Sequence, residues 1–249
     1  MSAEAGKTVQ VIGGGFAGLC AAYFLARQGH HVHLVEKADR RGGLLRTLDT
    51  PYGLVETAAN ALLSNELVEE TAAELGVTLI PTRPTAKKRF ILRDGKLRRF
   101  PLKGPAAMRF ITRTAPRFLF ARQSLSPQPG ESVRNWGERC LGEDATNYLL
   151  IPGLSGIYAG EPSSLSASLI LGRFFANKKN RVRPGRLRGS VAPKGGMEEL
   201  THAMHRYLEQ EGAEFKSEST PNLPTIVALP PPAAAAFLEA RAPDLSASL

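Results

Sequence analysis

Cysteine is scarce in this chain. Two residues in 249, Cys20 inside the first helix and Cys140 far along the chain, make no framework of disulfides or metal ligands. No apolar run reaches the roughly eighteen residues of a membrane span. The opening "MSAEAGKTVQV" has no apolar signal core, so the expectation is a protein of the reducing cytoplasm. No G-x-S-x-G elbow accompanies the loop serines, which argues against a serine hydrolase. The run "HHVH" offers His30, His31 and His33, but alternation splits them between a turn and one strand face. With no Cys or acid at ligand spacing nearby, no metal site is expected. Acid is scarce where base is abundant: Arg83 to Arg122 holds thirteen Lys or Arg residues against one acid, Asp94, and a second basic cluster spans Asn177 to Gly189. The net charge of +9 suits an anionic membrane, an acidic small molecule or a solvated basic face. Nucleic acid is not expected as a partner, because no recognition motif accompanies the charge.

What the chain does have is glycine in a telling place. "QVIGGGFAGLCAAYFLARQGHHVHLVEKADRRGG" runs from Gln10 to Gly43. An apolar strand ending at Ile12 is followed by Gly13, Gly15 and Gly18 in G-x-G-x-x-G spacing. A helix from Phe16 to Gln28 comes next, then a strand from His31 to Val35 that ends on Glu36. Gly13 permits the tight turn, Gly15 lets backbone approach a pyrophosphate, and Gly18 lets the helix pack on the sheet. The helix N-terminus offers free N–H groups to phosphate. Glu36, 23 positions after Gly13, falls where an acid meets ribose hydroxyls. This unit is therefore expected to hold a dinucleotide.

Farther along, "SNELVEETAAELGV" reads as a helix with Ser64 as N-cap and Gly76 as stop. "RFILRDGKLRRFP" reads as a hairpin around Asp94-Gly95. "ESVRNWGERCLG" reads as a short helix, another begins near Asp144, and Met197, Leu200, Met204 and Leu208 form one stripe of a late amphipathic helix. "PAAMRFITRTAPRFLFA" interleaves Arg109, Arg113 and Arg117 with Phe110, Ile111, Phe118, Leu119 and Phe120, as a membrane-interfacial segment does. Glu56, after an apolar strand, fits either a buried structural acid or a site residue.

The segment "EKADRRGGLLRT" resembles the E-A-x-D-R-x-G-G motif of flavin amine oxidases, with Glu36, Asp39, Arg40, Gly42 and Gly43 matching it. A more specific likeness follows. "PGLSGIYAGEPSSLS" resembles a segment of the protoporphyrinogen oxidase family through Pro152, Gly156, Ile157, Tyr158, Ala159, Gly160, Pro162, Leu165 and Ser166. "APKGGMEEL" from Ala192 resembles that family's return into its cofactor domain, and "LVETAANALL" from Leu54 its segment beside the flavin.

The resemblance implies an α/β protein: a Rossmann-like FAD-binding domain, discontinuous in sequence, with an inserted, mostly helical domain that faces substrate and membrane. The expected boundaries are 1–64, 65–190 and 191–249. The implied cofactor is FAD, contacted by Gly13, Gly14, Gly15, Phe16, Ala17, Gly18, Glu36, Lys37, Arg40, Gly42, Gly43, Leu44 and Asn60. The implied reaction is oxidation of protoporphyrinogen IX to protoporphyrin IX with oxygen as acceptor. The substrate is then an apolar tetrapyrrole bearing carboxylates, one of them held by Arg89, at a peripheral site on the inner face of a membrane. A flavin amine oxidase or a carotenoid-type desaturase is the enzymatic alternative.

Three departures stand against the family pattern. Ala58-Ala59 replaces its Gly-Pro beside the flavin. A strand-rich stretch that supplies part of its adenine pocket is nearly absent between Gly212 and Ala228. Family chains are also much longer and close over the flavin with a final segment missing here. A noncatalytic remnant, a split half that needs a complementary partner, or a homo-oligomer is accordingly expected beside the enzyme reading.

Overall fold

The computed structural model describes residues 6–88, 90–158, 160–175, 183–239 and 241–246. The chain packs as two compact units, Met1–Thr82 with Arg183–Leu249, and Arg83–Val182. Packing thus divides the chain at 82 and 183, where the sequence divides it at 64 and 190; residues 65–82 and 183–190 pack with the first unit.

The first unit opens with β1 (Thr8–Ile12), α1 (Phe16–Arg27) and β2 (His31–Val35). It continues through β3 (Thr47–Thr50), β4 (Gly53–Glu56), β5 (Leu62–Leu63), α2 (Glu66–Glu74) and β6 (Leu79–Pro81). The second unit starts with the hairpin β7 (Ile91–Arg93) and β8 (Lys96–Arg98). Helices α3 (Gly104–Phe120), α4 (Val133–Cys140), α5 (Glu143–Ala145), α6 (Ile151–Ser155) and α7 (Ala167–Phe175) follow. The chain then returns to the first unit with β9 (Ser190–Pro193), α8 (Met197–Gln210), β10 (Glu214–Lys216), β11 (Thr225–Val227), α9 (Pro231–Leu238) and α10 (Pro243–Ser246).

The central sheet has the order β10-β2-β1-β11, with every pairing parallel. Both inner strands are rich in β-branched valine, which suits a pleated surface buried on both faces. In register, Ile12 faces Val35 on one side and Val227 on the other, so the strands' C-terminal ends lie together. That edge, at the point where strand order reverses, is where open α/β sheets bind ligands.

The core joins α1, α8 and the sheet through Val11, Leu19, Tyr23, Leu34, Leu200, Met204 and Leu208. All four stripe residues of α8 are buried, as their spacing requires. Each large apolar side chain so buried contributes about 1.5–3 kcal/mol. Cys20 sits against this core, where burial pushes its thiol up to about 11, and both cysteines are free. One capping expectation is corrected. Asn65, not Ser64, caps α2, its side chain accepting the Val68 N–H at 2.9 Å; Ser64 instead bonds Glu69. Gly76 ends the helix with φ +68°, as expected of a glycine stop.

In the second unit the "RDGK" turn forms as a hairpin turn with both Asp94 and Gly95 at positive φ. The stretch around "PAAMRFITRTAPRFLFA" is one 17-residue helix, α3. Pro105 lies in its first turn, where a missing N–H is harmless, and Pro116 near its end removes only one intrahelical bond. The residues after the G-I-Y-A-G segment close on α4. Ser132 pairs with Ser166 in an isolated bridge, Val133 donates to the Leu165 carbonyl and Arg134 to that of Pro162. No helix among the described residues is long and apolar enough to cross a membrane.

Candidate cofactor site

The first turn after β1 is shaped by close approach. Gly13 has φ +107°, donates its N–H to the Val35 carbonyl at 2.8 Å, and a Cβ there would meet the Ala228 carbonyl oxygen at 2.6 Å. Gly18 is tighter still, since a Cβ would sit 1.7 Å from the Gly13 oxygen. Gly15 differs. Its would-be Cβ meets nothing nearer than the Gly43 Cα at 3.9 Å, and it caps α1 without a side chain. No acid lies in the first turn of α1, so its N–H groups and dipole remain available to an anion.

The loop after β2 folds onto this turn. Gly15 bridges Gly42, the Gly42 N–H donates to the Gly14 carbonyl at 2.7 Å, and Gly43 at φ +61° would bring a Cβ to 2.9 Å from the Gly15 Cα. Both glycines of the D-R-x-G-G motif are therefore needed for backbone to lie on backbone. Glu36 joins the two loops, accepting the Gly14 N–H at 2.7 Å and the Ala38 N–H at 2.9 Å. Each carboxylate oxygen keeps a lone pair for a further donor.

Arg40 is occupied within the protein. It meets the Glu198 carboxylate at 3.1 Å, the Leu45 carbonyl at 3.1 Å and the Gly43 carbonyl, and so fixes the glycine turn. Glu56 has a structural role. Its carboxylate accepts the Thr47 hydroxyl at 3.0 and 3.1 Å and the Met197 N–H at 2.9 Å, which caps α8. Glu198 completes the latch by accepting the Thr47 N–H at 3.1 Å. Nothing in local spacing signals this latch, because its partners lie 141 and 151 positions apart.

At the strands' C-terminal ends a cavity of about 810 Å³ opens, lined by Ile12, Gly13, Val35, Glu36, Lys37, Ser217, Glu218, Ser219, Leu229, Ala233, Ala236, Phe237 and Arg241. Of the expected contacts, the structure brings Gly13, Glu36 and Lys37 to this cavity and joins Gly14, Gly15, Gly42 and Gly43 to it through the loop contacts above. Phe16 and Ala17 form the first turn of α1. Leu44, 84% exposed, and Asn60, also exposed, do not line the cavity. Arg89 lies outside the described residues, as does Ala159 of the G-I-Y-A-G segment.

Sequence reasoning missed the cavity's other wall, residues 217–219 and α9, and the residue that holds it. Gln10, 3% exposed within β1, donates to the Thr220 carbonyl at 2.7 Å and the Thr225 hydroxyl at 2.8 Å, and accepts the Thr220 N–H at 3.0 Å. A glutamine in an otherwise apolar central strand was the available signal, since a buried amide needs partners. Open donors at a helix N-terminus, a gap over Gly15 and an acid at the end of β2 fit a dinucleotide. Among the described residues no three His, Cys, Asp or Glu side chains converge as metal ligands.

Comparison with known proteins bears on the class of dinucleotide. Residues 16–220 match the family of flavin containing amine oxidoreductases. Protoporphyrinogen oxidase of Bos taurus is 28% identical over 251 aligned residues, covering 83% of this chain and 52% of that protein. The chloroplastic protoporphyrinogen oxidase of Nicotiana tabacum is 32% identical, over 66% of this chain and 31% of its own length. The chain thus spans about half the length, or less, of these curated relatives. Among solved structures, a protein from Exiguobacterium sp. 255-15 described as a protoporphyrinogen oxidase superposes with a TM-score of 0.67 at 21% identity. That match covers 93% of this chain and 61% of the other, and at such identity it is a likeness of fold.

Proposed function

Because the chain belongs to the flavin containing amine oxidoreductases, a family whose cofactor is FAD, we propose that its first unit holds FAD and that the reaction served is oxidation of protoporphyrinogen IX. The observation that carries the cofactor site is Glu36, fixed at the end of β2 by two backbone N–H groups with acceptor capacity left for ribose hydroxyls. Gly15 and the open end of α1 would hold the pyrophosphate, and Arg40, bonded to the Gly43 carbonyl and to Glu198, would keep the Gly42-Gly43 backbone in place beside it. When bound, FAD supplies the two-electron acceptor, and the protein contributes binding, orientation and exclusion of water. The tetrapyrrole assignment draws on the named relatives and on the segment from Pro152 to Ser166. Arg89 is assigned to a substrate carboxylate, a role suited to a planar, bidentate cation.

The experiment is an absorbance spectrum of the purified chain, followed by FAD titration and turnover assays. The parent should retain or take up FAD and oxidise protoporphyrinogen in preference to amines. Glu36→Ala should weaken FAD by about 1.5–3 kcal/mol, the range for hydrogen bonds to a charged group. NADP(H) should bind poorly, since its 2′-phosphate would face the Glu36 carboxylate. Equal FAD affinity in parent and variant would remove Glu36 from the site, and turnover of amines alone would redirect the substrate.

Peripheral membrane contact is part of the same proposal, and α3 supports it in a form the sequence did not foresee. Arg113 and Arg117 donate to the Glu138 and Arg139 carbonyls at the end of α4, and Arg109 pairs with Asp144 at 3.0 Å. The opposite face carries Met108, Ile111, Phe118 and Leu119, all more than half exposed. Apolar insertion then outweighs charge. Cosedimentation with anionic vesicles should occur and weaken only moderately with salt. Ile111→Ser with Leu119→Ser should lower it by about tenfold or more. Vesicle binding unchanged in that double variant would leave α3 out of the contact.

A further inference from the structure

We propose that Phe237 and Arg241 form the seat of the adenine ring, a wall built by this chain's own α9 and the loop before β11. The inference rests on the FAD reading above. If the acid at the end of β2 meets ribose hydroxyls, the groups sharing its cavity beyond that acid receive the base. Among the lining residues there is one aromatic ring, Phe237, and one arginine, Arg241.

The arginine is held over the ring. Its Cζ lies 4.2 Å from the Phe237 ring centroid, one Nη donates to the Phe237 carbonyl at 3.1 Å, and the other reaches the Ser219 hydroxyl at 3.4 Å. Capping of α9 accounts for the bond to the Phe237 carbonyl. It does not account for the reach to Ser219, 22 positions away on the loop that Gln10 anchors. One face of the guanidinium is taken by the ring beneath it, and the other belongs to an exposed residue at the cavity wall. A guanidinium plane stacks on aromatic faces, and a purine presents such a face. Ser217 and Ser219 stand beside it with hydroxyls suited to the edge of a base. Charge agrees, because Glu36 and Glu218 balance Lys37 and Arg241, so the cavity favours a neutral base over a second phosphate.

The test is calorimetric titration of the flavin-stripped chain with FAD and with ADP, which carries the adenosine half alone. Arg241→Ala should weaken both about tenfold, the lower range for loss of one stacking partner. Arg241→Lys keeps the charge but not the plane, so it should recover only a minor part of that loss. Both changes fall on an exposed side chain, and unfolding midpoints equal to the parent's verify that the fold is kept. Phe237→Leu, which keeps an apolar packing group, should weaken both ligands in the same direction. Parent-like ADP affinity in Arg241→Ala, or full recovery by Arg241→Lys, overturns the seat while FAD binding by the parent stands. A parent that binds neither FAD nor ADP overturns the FAD reading, and the seat with it.

Discussion

Gly18→Ala is expected to destabilise the first unit by about 3 kcal/mol, the upper part of the range for overpacking a close-packed site. The added methyl would stand 1.7 Å from the Gly13 carbonyl oxygen, and that oxygen belongs to backbone that cannot swing aside. Gly13 is itself pressed on the Ala228 carbonyl, so relief in one direction creates conflict in the other. Gly15→Ala provides the contrast. Its methyl would find only Gly43 at 3.9 Å, and the backbone there, at φ −73°, accepts any residue. Its unfolding free energy should stay within about 0.5 kcal/mol of the parent, while FAD affinity falls roughly ten- to hundredfold as the methyl occupies the phosphate's place. Urea unfolding and FAD titration of the two variants separate the effects. If Gly15→Ala binds FAD like the parent, the pyrophosphate does not lie over Gly15.

Arg139→Ala should cost the second unit about 1–3 kcal/mol, the range for leaving a buried polar group without its hydrogen-bond partner. Glu131 is 8% exposed, and Arg139 grips it with two bonds, 2.6 Å from Nε and 2.8 Å from Nη2. The same guanidinium donates to the Ser124 and Ser126 carbonyls at 3.0 Å, so it also closes the loop before α4. The hydrogen bonds from Arg139 hold the Glu131 carboxyl below its ordinary value, against the opposing pull of burial. A lowered folded-state value places the stabilisation above the ordinary carboxylate pKa. It is lost as pH falls through the folded value. The gap between parent and Arg139→Ala should therefore be widest near neutrality and narrow in acid. Glu131→Gln combined with Arg139→Met should restore part of the loss, because no buried charge is then stranded. A pH-independent gap would mean that Arg139 acts through packing and its bonds to the Ser124 and Ser126 carbonyls, not through the Glu131 charge.

Local chemistry made the cradle legible. The G-x-G-x-x-G turn, the acid after β2 and the paired glycines each need only a few neighbours, and all are brought together where spacing puts them. The stripe of α8 was equally readable, since helical period and burial coincide at Met197, Leu200, Met204 and Leu208. What escaped depends on partners far along the chain. Gln10 finds its acceptors more than two hundred positions away, and Glu56 caps a helix 141 positions on. The arginines of α3 read as the charged part of a membrane-interfacial segment because their interleaving with apolar residues is visible, whereas the carbonyls that take them up at the end of α4 are not. Ser64 and Asn65 are both capable caps, and only the backbone decided between them.

The order in which the sheet is threaded has a kinetic consequence. β1 and β2 are made first, but their outer neighbours β11 and β10 come from residues after 213, on the far side of the entire second unit. The second unit is contiguous and its contacts are comparatively local, so it can fold while the sheet still waits for its edges. Gly13 acquires its neighbour Ala228 only when β11 docks. The cradle is therefore complete only once residues 214–228 have docked beside β1 and β2.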